Sequence, residues 1–150
     1  MEKVAHEIRT FGDPVLKSRA TPVKEFDESL EHLAEDMLRV MREAEGVGLA
    51  ANQIGRLKRI FVAAHDDEVY VIVNPVIEEY SETTEKDIEG CLSIPETRVE
   101  VERPTAVTVS GRDPLPHFFT VGVDARNDSP LAVITFVTTG PSGTRSTATT

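Results

Sequence analysis

Apolar residues recur at three- and four-residue steps over one long stretch, and this spacing predicts an amphipathic helix from about Asp27 to Ala44. Asp27 suits the N-cap because its carboxylate can accept hydrogen bonds from the first free backbone N–H groups. Gly46 is predicted to end the helix in a left-handed conformation. The apolar stripe consists of Phe26, Leu30, Leu33, Met37, Leu38, Met41 and Ala44.

Short runs rich in β-branched and aromatic residues follow this helix and predict strands. The run HDDE (65–68) between two of them predicts a hairpin turn. Before the helix, Pro14 and Pro22 each follow a small or polar residue, which predicts an extended, loop-like arm. The chain is therefore expected to be α+β, with short, mostly antiparallel strands around one long helix. The predicted strands span 59–64, 69–73, 75–80, 98–101 and 105–111.

The composition of the chain changes near Arg112. Residues 1–112 carry 37 charged side chains, whereas residues 113–150 carry five. Two strand-sized apolar runs, 117–123 and 131–137, lie in this second part, but no amphipathic helix pattern follows residue 112. We therefore predict one domain over 1–112 and a divergent C-terminal segment over 113–150. The last residues, about 12 of them, are rich in Ser, Thr and Gly and are predicted to be disordered.

Charge and composition exclude several classes of partner. The net charge of −10 argues against binding to a nucleic-acid backbone, and the acidic stretches 25–36 and 78–89 are interpreted as solvated faces. No apolar run has the length of a membrane span, and the N-terminus lacks the apolar core of a secretory signal. The single cysteine suits a reducing compartment, so the cytoplasm is the expected location.

Two short motifs carry the candidate chemistry, and the first is GVGLAANQ (46–53). In an extended segment, Gly46 and Gly48 would let another backbone, such as a peptide, lie close alongside. Val47 and Leu49 could offer apolar contacts, and Gln53 could donate a hydrogen bond to a developing oxyanion. The alternative is that this motif is a helix end followed by a tight turn.

The second motif is EGCLS (89–93), which contains the only cysteine of the chain. Cys91 is either a metal ligand, which requires partner ligands, or a small buried side chain. The residues of this motif alone leave both readings open.

Together, in this order and about forty residues apart, the two motifs resemble those of the peptide deformylases. These enzymes remove the formyl group from the initiator methionine of new bacterial and organellar proteins. The family pattern Gly-φ-Gly-φ-Ala-Ala-x-Gln, where φ is apolar, is matched at every position of 46–53. Glu-Gly-Cys-Leu-Ser is matched at 89–93, and the resemblance covers about three quarters of the chain.

The resemblance implies a role for each matched residue. Cys91 would bind Fe²⁺, or Zn²⁺, Ni²⁺ or Co²⁺ in its place, as a thiolate. Gln53 and the backbone N–H of Leu92 would stabilise the tetrahedral intermediate, and Glu89 would brace the site without binding the metal. The substrates would be formyl-methionyl nascent peptides, met at the ribosome exit. The substrate-binding residues would be Gly46, Val47, Gly48 and Arg98.

A third family motif, His-Glu-x-x-His on a C-terminal helix, is absent from the sequence. In the family its two histidines complete the metal site, and its glutamate moves the proton of the metal-bound water. The four histidines here are His6, His32, His65 and His117. A substitute set would combine Cys91 and His117 with a carboxylate, Asp113 or Asp124.

The sequence therefore predicts a deformylase-like metallohydrolase that is inactive or severely impaired. One alternative is a metal-free relic that binds peptide N-termini without hydrolysing them. Another is a non-functional product of a reading-frame change after Gly111, which the compositional break and the missing helix favour. TRST (144–147) is what codons for His-Glu-Ile-Asp give when translated one base late, but it lies later than the family motif should.

Overall fold

The structure, a computed structural model, describes residues 7–65, 68–124, 135–139 and 145–149. The long helix, α1, spans Glu28–Glu43 and confirms the predicted one. The Asp27 side chain accepts a hydrogen bond from the Leu30 N–H, as expected of an N-cap. No helix in the described part of the chain is long and apolar enough to span a membrane.

The predicted C-terminal cap of α1 is wrong by one residue. Glu45, not Gly46, has the left-handed conformation, with a φ of 57°. The Gly46 N–H donates to Met41 O at 2.9 Å and the Glu45 N–H to Arg42 O at 3.0 Å. This pair of bonds is a Schellman motif, in which the residue after the last helical turn takes the left-handed position.

Within the described ranges, nine strands follow α1, and seven of them form one antiparallel sheet in the order β1-β2-β3-β6-β7-β8-β9. The hairpin predicted at 65–68 joins β2 to β3 through the pair His65–Glu68. The fold is α+β with antiparallel strands and one long helix, as predicted. The strands of this sheet are β1 Gly48–Ala50, β2 Ile60–His65, β3 Glu68–Tyr80, β6 Ala106–Arg112, β7 Phe118–Asp124, β8 Thr135–Thr139 and β9 Arg145–Thr149.

The remaining two strands form a separate hairpin, β4 Thr84–Cys91 and β5 Ile94–Pro104. The sequence indicated only the four residues 98–101 of β5, and it gave no sign of β4, which lies in the acidic stretch 78–89. Most residues on both faces of this hairpin are exposed, so neither strand has the alternating apolar pattern of a half-buried strand.

One other prediction differs from the structure. The arm before α1 is not extended throughout, because Pro14–Lys17 forms a 3₁₀ helix capped by Asp13. The backbone of Arg145–Thr149 is β9, paired with β8, and the disorder of the tail stays a prediction. The described residues after Arg112 contain strands and no helix. The division of the chain at residue 112 stays a prediction.

The main core lies between α1 and the first three strands of the sheet. Its fully buried side chains come from one face of α1 and from alternate positions of β2 and β3. A smaller cluster of Tyr70, Ile72 and Val121 occupies the opposite face of the sheet. The main core consists of Val23, Leu30, Leu33, Ala34, Met37, Val40, Met41, Leu49, Ala51, Ile60, Val62 and Val73.

Asn74 fixes the arm to the sheet at an irregular position of β3. It has a φ of 52°, next to a register shift between β3 and β6. Its side-chain oxygen accepts from the Val23 N–H at 2.7 Å, and its amide nitrogen donates to Val23 O at 2.8 Å. The amide thus pairs both polar groups of a backbone segment that enters the core.

We expect Asn74→Ala to lower the free energy of unfolding by about 2–3 kcal/mol, because it leaves two buried backbone groups unpaired and strains a left-handed residue. Urea denaturation of the purified chain measures this loss. Asn52→Ala is the matched control, since Asn52 is equally half-buried but only its backbone is hydrogen-bonded within the described part of the chain. Equal losses for both variants would contradict the role of Asn74.

Candidate functional site

A groove of about 1010 Å³ lies between β1 and the tip of the β4–β5 hairpin. It is lined by the end of α1 and the start of β1 on one side and by residues 90–98 on the other, with Gln53 between them. The two sequence motifs therefore meet across this groove. Every predicted site residue lines it except Glu89: Gly46, Val47, Gly48, Gln53, Cys91, Leu92 and Arg98.

The first motif forms a strand followed by a 3₁₀ helix. It is therefore neither wholly an extended segment nor only a helix end with a tight turn, the two forms that the sequence allowed. Gly48–Ala50 is β1, the edge strand of the large sheet, and Ala51–Ile54 is the 3₁₀ helix. Leu49, predicted to be available for apolar contacts, is 2% exposed and belongs to the core. Val47 is 64% exposed and lies in the groove.

Gly46 and Gly48 have different structural constraints. A Cβ on Gly46 would lie 2.6 Å from Leu92 Cδ1, so the Leu92 side chain would have to shift from its close contact with the end of α1. A Cβ on Gly48 would meet only Val62 O, at an ordinary 3.7 Å. Space within the protein therefore does not require a glycine at position 48.

Gln53 holds a fixed orientation in the groove. Its Oε1 accepts a hydrogen bond from the Ala50 N–H at 2.9 Å, which turns its Nε2 towards the β4–β5 hairpin. Nε2 donates to Ser93 Oγ at 3.0 Å and lies 3.6 Å from Cys91 Sγ. The amide predicted to act as a hydrogen-bond donor thus faces the predicted metal ligand.

Cys91 is exposed at the end of β4, so it is not the small buried side chain of the alternative reading. Glu89, two residues earlier, makes a two-point ion pair with Arg103, with both N–O distances at 2.9 Å. These hydrogen bonds from Arg103 lower the pKa of the Glu89 carboxyl. The pair joins β4 to β5 close to Cys91, and the sequence gave no sign of Arg103.

Among the described residues, the donors around Cys91 do not make up the ligand set of a divalent metal ion. Within the described ranges, no three His, Cys, Asp or Glu side chains lie together as a metal site requires. His117 Nδ1 lies 3.0 Å from Asp113 Oδ2, and these two described side chains form no cluster with Cys91. The substitute ligand set of Cys91, His117 and Asp113 is therefore wrong. His32 lies on α1 beside Glu28. His6 and the side chains of His65 and Asp124 fall outside the described residues.

Comparison with known proteins identifies the family. A sequence model described as polypeptide deformylase matches residues 5–126, which extends past the predicted boundary at residue 112. Peptide deformylase 1 of Corynebacterium glutamicum is 50% identical over 111 residues, covering 71% of this chain and 66% of that protein. The peptide deformylase of Natranaerobius thermophilus is 49% identical over 109 residues, covering 72% and 70%. This chain belongs to the peptide deformylase family.

Solved structures agree with this assignment. The crystal structure of peptide deformylase from Thermotoga maritima superposes with a TM-score of 0.76 and 41% identity, over 78% of this chain and 80% of that one. The Met-Ala-Ser-bound peptide deformylase from Acinetobacter baumannii gives a TM-score of 0.76 and 30% identity, over 83% and 84%. The chain spans just under two thirds of the Corynebacterium glutamicum relative, at 66% of its length.

We expect Gly46→Ala to lower the free energy of unfolding by about 1–2 kcal/mol, because the new methyl group forces Leu92 out of its packing position. Gly48→Ala should change stability by less than about 1 kcal/mol, and alanine is if anything favoured over glycine within a strand. Thermal and urea denaturation of the two variants measure the difference. A Gly48→Ala variant as unstable as Gly46→Ala would contradict the contact between Gly46 and Leu92.

Proposed function

We propose that this chain binds the formylated N-terminus of a peptide in the groove but hydrolyses the formamide far more slowly than deformylases with a complete metal site. The observation that carries the proposal is the contact of Gln53 with Cys91 in a peptide-sized groove, where the described residues include no group of three His, Cys, Asp or Glu side chains that could hold a metal ion. Family membership and the Met-Ala-Ser-bound relative support formyl-methionyl peptides as the ligands. The cytoplasm, where such peptides are made, is the proposed location.

The edge of β1 supports peptide binding. The Ala64 N–H donates to Val47 O, so residues 47 and 64 form a hydrogen-bonded pair of the antiparallel ladder. Such pairs alternate along antiparallel strands, and the N–H and C=O of Gly48 therefore point away from β2, towards the groove. An extended peptide can pair with these two groups as an added strand.

Gln53 supports recognition of the formyl group. Because its Oε1 is held by the Ala50 N–H, its nitrogen is the polar group that faces the groove. An amide N–H can donate to the formyl oxygen of a bound peptide, whereas a free amino terminus offers no such acceptor. The groove thus has a donor for the one group that distinguishes a formylated peptide from its deformylated product.

Hydrolysis needs more than this donor, since an amide reacts slowly with water that no base or metal activates. Among the described residues, the polar contact of the Cys91 sulfur is the Gln53 amide, which cannot take up a proton. Glu89 is held by Arg103. The carboxylates of Glu45 and Glu96 also line the groove, but among the described residues neither is hydrogen-bonded to Gln53 or Cys91. The groove can therefore bind and orient a peptide, without a general base held beside the Gln53 amide.

We expect the purified chain to hydrolyse formyl-Met-Ala-Ser at least about 10³-fold more slowly than the Thermotoga maritima deformylase, because activation of the water is lost. The assay is run with added Fe²⁺, Co²⁺ or Ni²⁺, and the metal content of the chain is measured in parallel. The Cys91→Ser variant serves as the control and should retain the same residual rate. Stoichiometric metal together with turnover within tenfold of the reference would overturn the proposal.

We expect Gly48→Ala to weaken the binding of formyl-Met-Ala-Ser about tenfold, because a methyl group on the edge strand separates the two backbones and costs about one hydrogen bond. Isothermal titration calorimetry measures the affinity. Gly122→Ala is the matched control, since Gly122 is a strand glycine with open space around it and lies outside the groove lining. Equal affinities for the two variants would argue against pairing of the peptide with β1.

A further inference from the structure

Ser93, the last residue of the second motif, is the buried polar group of the groove region. Its exposure is 4%, although it lies in the turn at the tip of an otherwise exposed hairpin. Its hydroxyl accepts the Gln53 Nε2–H at 3.0 Å, and its backbone oxygen accepts the Phe11 N–H at 2.8 Å. Ser93 therefore contacts two segments that are distant from it in sequence.

These contacts close a ring of hydrogen bonds. The Arg9 N–H donates to Gln53 O at 2.6 Å, and the Phe11 N–H, two residues later on the same side of the arm, donates to Ser93 O. The Gln53–Ser93 side-chain bond completes the ring. The neighbouring arm residues Ile8 and Thr10 line the groove. The arm, the 3₁₀ helix and the hairpin tip are thus held to one another at the place where the groove has its polar donor.

The orientation of the Gln53 amide follows from its two partners. If the Gln53 amide were rotated by half a turn, its Oε1 would face Ser93 and its Nε2 would face the Ala50 N–H. Nε2–H and the Ala50 N–H are both donors, so that orientation would lose a hydrogen bond. Ala50 alone fixes only one end of the amide. The Ser93 hydroxyl holds the other end, so that one Nε2 proton is used by Ser93 and the second points to Cys91 Sγ, a weak acceptor 3.6 Å away at the groove, from which a formyl oxygen could take it.

We propose that Ser93 is a positioning residue: its hydroxyl aims the Gln53 amide at the formyl oxygen and thereby sets the preference for formylated over free peptide N-termini. This inference rests on the proposed function. A purely structural serine would support the hairpin tip, and its loss would weaken the binding of both kinds of peptide by the same factor. A positioning serine acts through Gln53 alone and changes the preference itself.

The test compares the wild-type chain with Ser93→Ala by calorimetry, using formyl-Met-Ala-Ser and Met-Ala-Ser. We expect Ser93→Ala to weaken formyl-Met-Ala-Ser binding about 5- to 10-fold, the usual effect of one hydrogen bond, and to change Met-Ala-Ser binding less than about twofold. Ser18→Ala is the matched control, because it removes a serine hydroxyl bond to Pro14 O away from the groove. Unchanged preference, or equal loss for both peptides, would overturn the inference.

A second measurement separates this inference from the proposed function, because its wild-type readout does not depend on a bound peptide. Gln53 is the only glutamine of the chain, so selective ¹⁵N-glutamine labelling gives one pair of side-chain amide signals. In the wild type, we expect one of the two protons to exchange with water at least about tenfold more slowly than in free glutamine, and Ser93→Ala to remove this protection. Fast exchange of both protons in the wild type refutes the inference. A protected proton in a chain that binds neither peptide refutes the proposed function alone.

Discussion

The groove depends on how the tip of the β4–β5 hairpin is attached to the rest of the molecule. A two-stranded hairpin is marginally stable by itself, and the middle of this one is exposed on both faces. Its tip is held by Leu92, which packs on the main core beside Gly46, and by the hydrogen bonds of Ser93. These contacts place Cys91 opposite β1. Without them, one wall of the groove would have no fixed position.

The other end of the hairpin is held by hydroxyl groups. Thr105, which is 3% exposed, lies 2.6 Å from Thr83 Oγ1 and 3.1 Å from Ser81 Oγ, and the Ala106 N–H donates to Ser81 Oγ. The hairpin is thus attached at both ends and free between them. Two fixed ends hold the width of the groove before any ligand arrives, which reduces the ordering that a bound peptide must impose.

The sequence predicted those parts of the structure that depend on local periodicity. The apolar spacing of α1 and the alternation in β2 and β3 come from burial of one side, and a single sequence records this directly. β4 was missed because it has no buried side, and the turn at Glu45 was missed because glycine is the usual left-handed residue. The motifs predicted Gln53 and Cys91 as candidate residues, and the structure places them 3.6 Å apart. The Gln53–Ser93 hydrogen bond was not predicted, because the two residues are 40 positions apart and only the fold brings them together.

In the proposed function, peptide binding and hydrolysis rest on different parts of this molecule, and for that reason one could persist without the other. The proposed binding uses the backbone edge of β1 and the Gln53 amide, which belong to a segment packed on the main core. Hydrolysis in the family uses a metal whose other ligands would come from a segment after Cys91, and His-Glu-x-x-His is absent there.

Each backbone hydrogen bond of an added strand contributes only about 0.5–1.5 kcal/mol, against an association cost of at least about 4 kcal/mol. A few such bonds barely offset that cost, so useful affinity must come from apolar contact of the peptide's methionine side chain with the groove. The apolar side chains of Val47, Leu92 and Ile94 line the groove, and they suit contact with a methionine side chain.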